Sequence, residues 1–388
     1  MKKHFPLLFL GFLFFVPQVH ASGYSYYRAI TVSSSTAIAS GTQSSFPMLV
    51  SSTITDWIYP SHHITSLVTA PNGGTEPADL VFATSIANCG VSNLNFETES
   101  YSSSTGALVD WVNVPSMAAG TVIYACYGNS SVTADQSHPS STWNSNYAGV
   151  WHLANPTSSV STYDSKTAVN GTNNGPVAST TGQIDGAGVW GGHTTDAIST
   201  DVTSDNTQRT YSVWEYLTGY GGGSVGRIFS HVISGSSDEA LYIVNNGSFY
   251  YQKEMSGTQG QWIFAAYLSL NTWYYMVVTY DDSNTSNIPK VYVDGNPVTV
   301  AIQTSPTGSV STSSNPYAIG NRLSDSARNW AGKLDEFHIA NTIQTPSWIL
   351  TEYNNQNSPS TFYAVGSEQT AGGGSTPLQM FFEWIMDL

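Results

Sequence analysis

Residues 273–298, WYYMVVTYDDSNTSNIPKVYVDGNPV, contain the pattern that decides the fold. From Trp273 to Tyr280 nearly every residue is aromatic or β-branched, and side chains alternate along a strand, so both faces of this segment are apolar. The pattern predicts a strand in the interior of a sheet. Asp294-Gly295 then predicts a tight turn, since glycine adopts positive φ at low cost. The stretch therefore indicates strands joined by turns.

The acidic loop between these strands begins with Asp281 and Asp282. Such a loop serves as a metal site, as a source of catalytic carboxylates, or as a solvated hairpin. A calcium loop of the EF-hand type requires Gly at its sixth position and Glu at its twelfth. Counted from Asp281, these positions hold Ser286 and Tyr292. We therefore interpret the loop as a solvated turn.

The N-terminus has the pattern of a secretory signal peptide. A basic start is followed by the apolar run FPLLFLGFLFFVP, and VHA ends it with a small residue. A retained membrane anchor needs about 20 apolar residues, and Pro17 and Gln18 interrupt the run earlier. Residues 1–21 are predicted to be cleaved, and the protein is predicted to be secreted, either extracellular or in the cell envelope of a bacterium.

Composition narrows the class of protein. The chain has 388 residues, enough for two domains after the signal is removed, with 13% aromatic and only 10% charged residues. These values are typical of an extracellular all-β protein. Loss of Lys2 and Lys3 leaves nine basic residues against 26 acidic ones. Nucleic acid and anionic lipid are poor partners for such a chain, and solubility is the simplest explanation of its charge.

The two cysteines, Cys89 and Cys126, favour one disulfide because an exported protein meets oxidising conditions. Two buried free thiols are the alternative. Neither cysteine has a neighbouring His or a C-x-x-C partner, so zinc binding and redox catalysis through cysteine are not expected.

Short strand-like segments fill the chain, and they predict an all-β protein with two β-sandwich domains. The first domain is predicted over residues 22–142 and the second over 143–370. Eleven strand segments in the second domain suit a jelly-roll of two large sheets. One short helix is predicted in TPSWILTEYNN, opened by Thr345 with Pro346 at the first helical position. Residues 371–388 are predicted to form a flexible linker and a short tail, too short to span a membrane.

Four elements in the second domain resemble the laminin-G-like, concanavalin A-like jelly-roll family. They are GVWHL followed by YDSKTAVNGT, then TYSVWEYL, then LNTWYYMVVTYD with KVYVDGNPV, and finally AIGNR with WAGKLDEFHIANTIQTPSWI. The first domain resembles an uncharacterised bacterial exported domain often fused to such modules. The matching pieces include YYRAITV, FPMLV, ETESY and WVNVPSMAAGTVIYACYGN. This second resemblance implies architecture only.

The jelly-roll resemblance points to two kinds of site. It implies a structural Ca²⁺ site at Asp164 and Asp335, although the Gly-Asn-Gly core of the family's loop is replaced by residues 168–171. The alternative is that both carboxylates make local hydrogen bonds. Candidate carbohydrate contacts on or beside the sheets are Trp190, Tyr216, Tyr251, Trp262, Asn321, Arg322 and Trp330. For each aromatic residue among them, a place in the core is the competing interpretation.

Enzyme motifs are weak in this sequence. GGSVG at residues 222–226 fits a nucleophile elbow, but that motif requires a helix after it, and the next residues read as a strand. The paired-carboxylate strand of concanavalin A-like glucanases is missing. Glu97 and Glu99 share one strand face, and we interpret them as solvated.

These observations favour a secreted, non-enzymatic recognition protein whose second domain binds a glycan or another cell-surface polymer. The first alternative is a structural adhesin or envelope protein that contacts another exported protein. The second is a polysaccharide hydrolase with an unrecognised site.

Overall fold

The computed structural model describes residues 23–33, 38–154, 159–235, 237–264, 268–324 and 327–371. The predicted signal peptide and the tail beyond residue 371 lie outside these ranges. Within them, no helix has the length and apolar character needed to cross a membrane.

The first domain is a β-sandwich. Its strands before the jelly-roll are β1 (Tyr26–Val32), β2 (Gln43–Thr53), β3 (Leu67–Thr69), β4 (Thr75–Pro77), β5 (Val81–Ala83), β6 (Phe96–Ser102), β7 (Ala107–Met117) and β8 (Val122–Tyr127). One sheet orders β1, β8 and β5, the other orders β2, β7 and β6, and β3 pairs with β4. Apolar residues from both sheets form one core cluster.

A disulfide between Cys89 and Cys126 joins the turn after β5 to β8. This confirms the pairing predicted from the sequence. The cysteines are 37 residues apart and both belong to the core cluster of the first domain.

The second domain follows the short helix α1 (Pro139–Thr142). Its strands are β9 (Tyr147–Trp151), β10 (Tyr163–Asp164), β11 (Val169–Asn170), β12 (Thr172–Asn173), β13 (Ala178–Thr181), β14 (Gly186–Trp190), β15 (Ile198–Ser199), β16 (Gln208–Leu217), β17 (Val225–Ser234), β18 (Ser237–Val244), β19 (Phe249–Lys253), β20 (Gly260–Phe264), β21 (Trp273–Asp281), β22 (Lys290–Val293), β23 (Asn296–Val298), β24 (Val300–Thr304), β25 (Tyr317–Ile319) and β26 (Gly332–Ala340).

These strands form a jelly-roll of two facing sheets. The front sheet has the order β12-β15-β25-β17-β18-β19-β20-β24. The back sheet has the order β13-β14-β26-β16-β21-β22-β23, with β9 also beside β26. Strands of both sheets contribute to one core cluster. The predicted all-β fold with a jelly-roll second domain is confirmed.

The apolar strand that begins at Trp273 lies inside the back sheet. β21 pairs with β16 on one side and β22 on the other, as its two apolar faces predict. Asp294 and Gly295 both have positive φ, at 51° and 73°, and they form the predicted turn. The Asp294 carboxylate also accepts a hydrogen bond of 2.9 Å from the amide of Tyr275.

The acidic loop is only partly the solvated turn that the sequence predicts. Asp281 accepts a hydrogen bond from the amide of Ser283 at 2.9 Å, as a turn residue does. Asp282 is buried and pairs with Arg209. The prediction was wrong for Asp282 because its partner lies on β16, far away in sequence.

The C-terminal segment returns to the first domain. The helices α2 (Pro346–Asn357) and α3 (Pro359–Phe362) precede β27 (Tyr363–Val365) and β28 (Gln369–Thr370). Both strands pair with β1. The predicted boundary placed residues up to 370 in the second domain, whereas strand pairing places residues 363–370 in the first. α2 begins as expected, with the Thr345 side chain accepting a hydrogen bond from the amide of Trp348 at 3.1 Å.

Candidate functional site

The aromatic residues proposed as sugar contacts lie mostly in the core. Trp190, Tyr251, Trp262 and Trp330 are buried members of the jelly-roll core cluster. They offer no exposed ring face on which a sugar stacks. The competing interpretation, a place in the core, describes these four residues.

Tyr216 differs, because it is only partly buried. Its ring lies 5.4 Å from that of Trp273 across the back sheet, and Lys333 Nζ lies 5.1 Å from the Tyr216 ring centre. This small aromatic patch lies on the back sheet.

The two carboxylates proposed for calcium have separate environments. Asp164 Oδ1 accepts hydrogen bonds from the amides of Val150 at 2.9 Å and Lys166 at 2.8 Å. Burial raises the pKa of Asp164 to about 7. Asp335 Oδ2 accepts from the amides of Gln183 at 2.8 Å and Ile184 at 2.9 Å, and burial raises its pKa as well.

Strand register keeps these carboxylates apart. Asp164 contacts Val150, which pairs with His338 on β26, three residues beyond Asp335. β26 is bulged between Asp335 and His338, where three of its residues face two of β16, so this step spans about 7 Å. Each carboxylate accepts hydrogen bonds from its own pair of backbone amides, which is the alternative to calcium binding. Calcium binding by this chain stays a prediction.

Arginine, glutamine and tyrosine side chains form a pocket on the outward face of the front sheet. The pocket has a volume of about 380 Å³. Its polar and aromatic lining consists of Arg227, Tyr242, Gln252, Gln259, Arg322 and Arg328. Ile228 and Leu241 point into the core, so their strand neighbours Arg227 and Tyr242 point outward. We call this site the arginine pocket.

The floor of the arginine pocket is a buried ion pair. Arg227 Nη2 lies 3.1 Å from Asp238 Oδ2, and its guanidinium carbon lies 4.9 Å from the centre of the Tyr242 ring. Burial lowers the pKa of Arg227, and the nearby Arg322 and Arg328 lower it further against the opposing effect of Asp238. Among the described residues, Arg227 Nε and Nη1 have no hydrogen-bond partner.

The loop after β25 brings two more arginines to this floor. Asn321 is buried, and its side-chain oxygen accepts hydrogen bonds from the amides of Arg322 at 2.8 Å and Arg328 at 3.2 Å. The amide of Arg227 donates to the carbonyl of Arg328 at 3.0 Å. Asn321 therefore shapes the loop, and Arg322 belongs to the lining of the pocket.

Sequence reasoning missed Arg227, Arg328, Tyr242 and Gln252. A signal was present, because the whole chain has only five arginines and three of them line this pocket. Arginine donates in a planar fork that matches carboxylate, sulfate and vicinal hydroxyl oxygens.

Glu97 and Glu99 are not solvated, which corrects the sequence interpretation. They are 4% and 1% exposed and lie between the two domains. Glu97 Oε1 lies 3.1 Å from His152 Nε2, and Glu99 Oε2 lies 3.6 Å from His152 Nδ1. The second domain supplies the residues that bury them, so the first domain's own strand pattern carried no sign of it.

The GGSVG segment follows the structure that the sequence predicts. Residues 222–224 form a single 3₁₀ turn, and β17 begins at Val225. A nucleophile elbow requires a helix at that place.

A family comparison agrees with this architecture. Residues 191–350 match Laminin_G_3, the family described as the concanavalin A-like lectin/glucanases superfamily. These residues form a concanavalin A-like domain. The resemblance of the second half of the chain to this family is thereby confirmed. The arginine pocket lies within the matched range of the concanavalin A-like domain. No curated protein matches the sequence of the chain.

Solved structures resemble the chain in fold. The fourth domain of an extracellular arabinanase from Geobacillus stearothermophilus, solved with arabinotriose, is 16% identical over 53% of this chain and 97% of its own length, with a TM-score of 0.38. The receptor-binding domain of botulinum neurotoxin type G is 14% identical over 55% of this chain and 52% of its own, with a TM-score of 0.42. The binding domain of Paraclostridial mosquitocidal protein 1 is 14% identical over 54% of this chain and 52% of its own length, with a TM-score of 0.42.

Proposed function

We propose that this chain is a secreted, non-enzymatic recognition protein that binds carbohydrate or another cell-surface polymer through its concanavalin A-like domain. The observation that carries the proposal is the arginine pocket on the outward face of the front sheet. Secretion rests on the predicted signal peptide.

Charge makes the arginine pocket distinct from the rest of the molecule. The chain has a formal net charge of −15, yet Arg227, Arg322 and Arg328 converge on one pocket. A polymer carrying carboxylate or sulfate groups is attracted to this point and repelled by the acidic surface elsewhere. Gln252 and Gln259 also line the pocket, and their amide nitrogens donate hydrogen bonds to Asp238. Acidic polysaccharides are therefore the first ligands to test.

The lining favours binding over hydrolysis. A glycosidase holds two carboxyl groups on either side of the bond that it cleaves. No carboxylate is part of the described lining of the arginine pocket. Asp238 beside it is buried and paired with Arg227, and Glu254 accepts a hydrogen bond from the Gln259 side chain at 3.0 Å. The carboxylates of Glu97 and Glu99 are buried between the domains, where a polysaccharide does not reach them.

The test uses the mature chain and a panel of immobilised acidic and neutral polysaccharides, with and without chelator. We expect binding to at least one acidic polymer, weakened by salt because the contact is electrostatic. Arg328→Gln removes one charge from the pocket and is expected to weaken binding at least fivefold. Lys290→Gln removes an exposed charge from β22, in the other sheet, and is the matched control.

Three outcomes count against the proposal. One is that no polymer binds. Another is that Arg328→Gln and Lys290→Gln weaken binding equally, which would move the site away from the arginine pocket. The third is release of reducing sugar from a bound polysaccharide, which would replace recognition by hydrolysis.

A further inference from the structure

Two histidines and two glutamates meet in the buried interface between the domains. His152 follows β9, while Glu336 and His338 lie on β26. His152 Nδ1 and His338 Nε2 each lie 2.9 Å from Glu336 Oε2. One ligand atom from each of these three residues lies within 4.8 Å of the other two. Glu99 Oε2, from the first domain, lies 3.6 Å from His152 Nδ1.

These separations match the edges of a metal tetrahedron. Zinc bonds to imidazole nitrogen and carboxylate oxygen are about 2.0–2.2 Å long, so adjacent ligand atoms in a tetrahedral site lie about 3.3 Å apart. The distances of 2.9 and 3.6 Å in the interface bracket this value. Little movement of His152, Glu336 and His338 is needed to place an ion among them, whereas the Glu99 carboxylate must move closer to become a fourth ligand.

The surroundings orient His152 as a metal site requires. The second ring nitrogen of His152 lies 3.1 Å from Glu97 Oε1, and Trp143 Nε1 donates a hydrogen bond to the same oxygen. Trp111 Nε1 donates to Glu99 Oε2 at 2.9 Å. A histidine that ligates a metal typically donates its other ring nitrogen to a carboxylate, which fixes the ring. Glu97 is therefore a positioning residue.

The interface is short of positive charge. The side chains of Glu97, Glu99 and Glu336 are at most 5% exposed, and within the described ranges their ion-pair partners are imidazoles, with no lysine or arginine. Glu99 Oε1 is buried without a hydrogen-bond partner in those ranges. Buried carboxylates are stable only when paired, protonated or bound to a metal. A divalent cation would supply the missing charge.

A second buried group in the same molecule shows the contrasting case. Asp205, His231 and Glu239 also bring ligand atoms together. There Arg209 Nη1 lies 2.6 Å and Lys253 Nζ 2.9 Å from Glu239 Oε2. The protein's own cations satisfy that group, so it needs no metal.

We propose that the domain interface binds one divalent transition-metal ion of the Zn²⁺ type through His152, Glu336 and His338, with Glu99 as the fourth ligand. The ion joins β6 of the first domain to β9 and β26 of the second. Its role is structural, since the site is closed to solvent and a metal that binds only the folded state stabilises it.

In the experiment, the mature chain is unfolded in denaturant that contains a chelator. It is then refolded with Zn²⁺, with Co²⁺, or with no metal. After gel filtration, elemental analysis is expected to give one Zn²⁺ per chain. The Co²⁺ form is expected to show the visible absorption of a tetrahedral site, and the metal-loaded forms are expected to unfold at higher temperature than the metal-free form.

Three variants test which residues bind the ion. His338→Gln removes a ligand, and we expect at least a tenfold loss of affinity. Glu97→Gln keeps every ligand but weakens the support of His152, and we expect a loss of about 10–100-fold. His231→Gln alters a buried histidine in the contrasting group and is expected to retain one ion. Metal-free wild-type protein after every refolding, or equal retention of metal in His338→Gln and His231→Gln, would overturn the proposal.

Discussion

Glu239 on β18 is a buried carboxylate in a charge network with Arg209 and Lys253. Burial alone would raise its pKa, but Arg209 and Lys253 outweigh burial and hold the pKa well below its ordinary value. A carboxylate with a depressed pKa stabilises the fold above its unfolded pKa, and that stability is lost as the pH falls. The network therefore strengthens the fold at neutral pH and weakens it in acid.

Glu239→Gln is expected to lower the free energy of unfolding by about 1.5–3 kcal/mol at pH 7, because Arg209 and Lys253 lose one charged hydrogen-bond partner and keep Asp205 as another. The difference from wild type is expected to narrow as the pH falls below about 4.5, where the unfolded carboxylate becomes protonated. Urea midpoints at pH 7, 5 and 3.5 measure this. Asp281→Asn retains a side-chain oxygen that accepts the hydrogen bond from the Ser283 amide, and this variant is the control. If the difference in unfolding free energy between wild type and Glu239→Gln is constant with pH, the depressed pKa of Glu239 is contradicted.

The identity of a residue predicts which chemical group it carries better than it predicts which residue that group contacts. The sequence placed Cys89 and Cys126 together because two cysteines have one pairing to make. It placed Glu97, Glu99 and Asp282 in solvent, since acidic residues are rarely buried. Their partners His152 and Arg209 are more than 50 residues away along the chain, a relation that strand alternation does not contain.

Helix α2 is the element that joins the domains. The Asn355 side chain accepts a hydrogen bond from the Leu49 amide at 2.7 Å and donates one to the Leu49 carbonyl at 3.0 Å. The next residue, Gln356, accepts from Trp214 Nε1 at 2.7 Å. One helix thus fixes β2 of the first domain and β16 of the second.

Asn355→Ala is expected to destabilise the protein by about 1–3 kcal/mol for each backbone group of Leu49 left without a partner. Hydrogen exchange is expected to quicken at β2 before it does so in the core of the jelly-roll. Asn357→Ala, at the exposed end of the same helix, is expected to change stability by less than about 0.5 kcal/mol. Equal effects from the two variants would show that α2 does not hold β2.

The disulfide acts on the element that it anchors, the turn between β5 and β6. Replacing Cys89 and Cys126 by alanine is expected to lower the free energy of unfolding by about 2–4 kcal/mol, the usual value for a loop of this size. Denaturant titration checks the loss. Reductant should lower the stability of the wild type and leave the double variant unchanged.

Long strands were predictable and short ones were not. β1 coincides with the segment YYRAITV, and β21 begins at the predicted Trp273 and ends one residue after Tyr280, since a run of five or more aromatic and β-branched residues is a clear strand pattern. The short strands β10 and β28 have only two residues each, too few to show any periodicity. They exist because tertiary contacts bring their backbones beside a partner, and the sequence alone does not contain that information.

At the scale of the whole molecule, the two ends of the described chain complete one sandwich. β27 pairs with β1 through Ile30–Val365 and Val32–Tyr363. The Tyr363 hydroxyl donates to the Ser51 carbonyl at 2.8 Å and accepts from its amide at 2.7 Å, which ties the strand to the opposite sheet. The concanavalin A-like domain is thus inserted between two parts of the first domain.

This insertion makes the first domain depend on the C-terminal segment beyond the second domain. Truncation after residue 358 removes α3, β27 and β28, exposes the edge of β1 and opens the core at Phe362. We expect faster hydrogen exchange throughout β1 and β8 and a lower unfolding midpoint for the first domain, with the core of the jelly-roll still protected. Truncation after residue 371 keeps both strands and is the matched control. If β1 and β8 exchange equally slowly in the two truncated chains, the first domain is complete without its C-terminal strands, and the insertion has no energetic consequence.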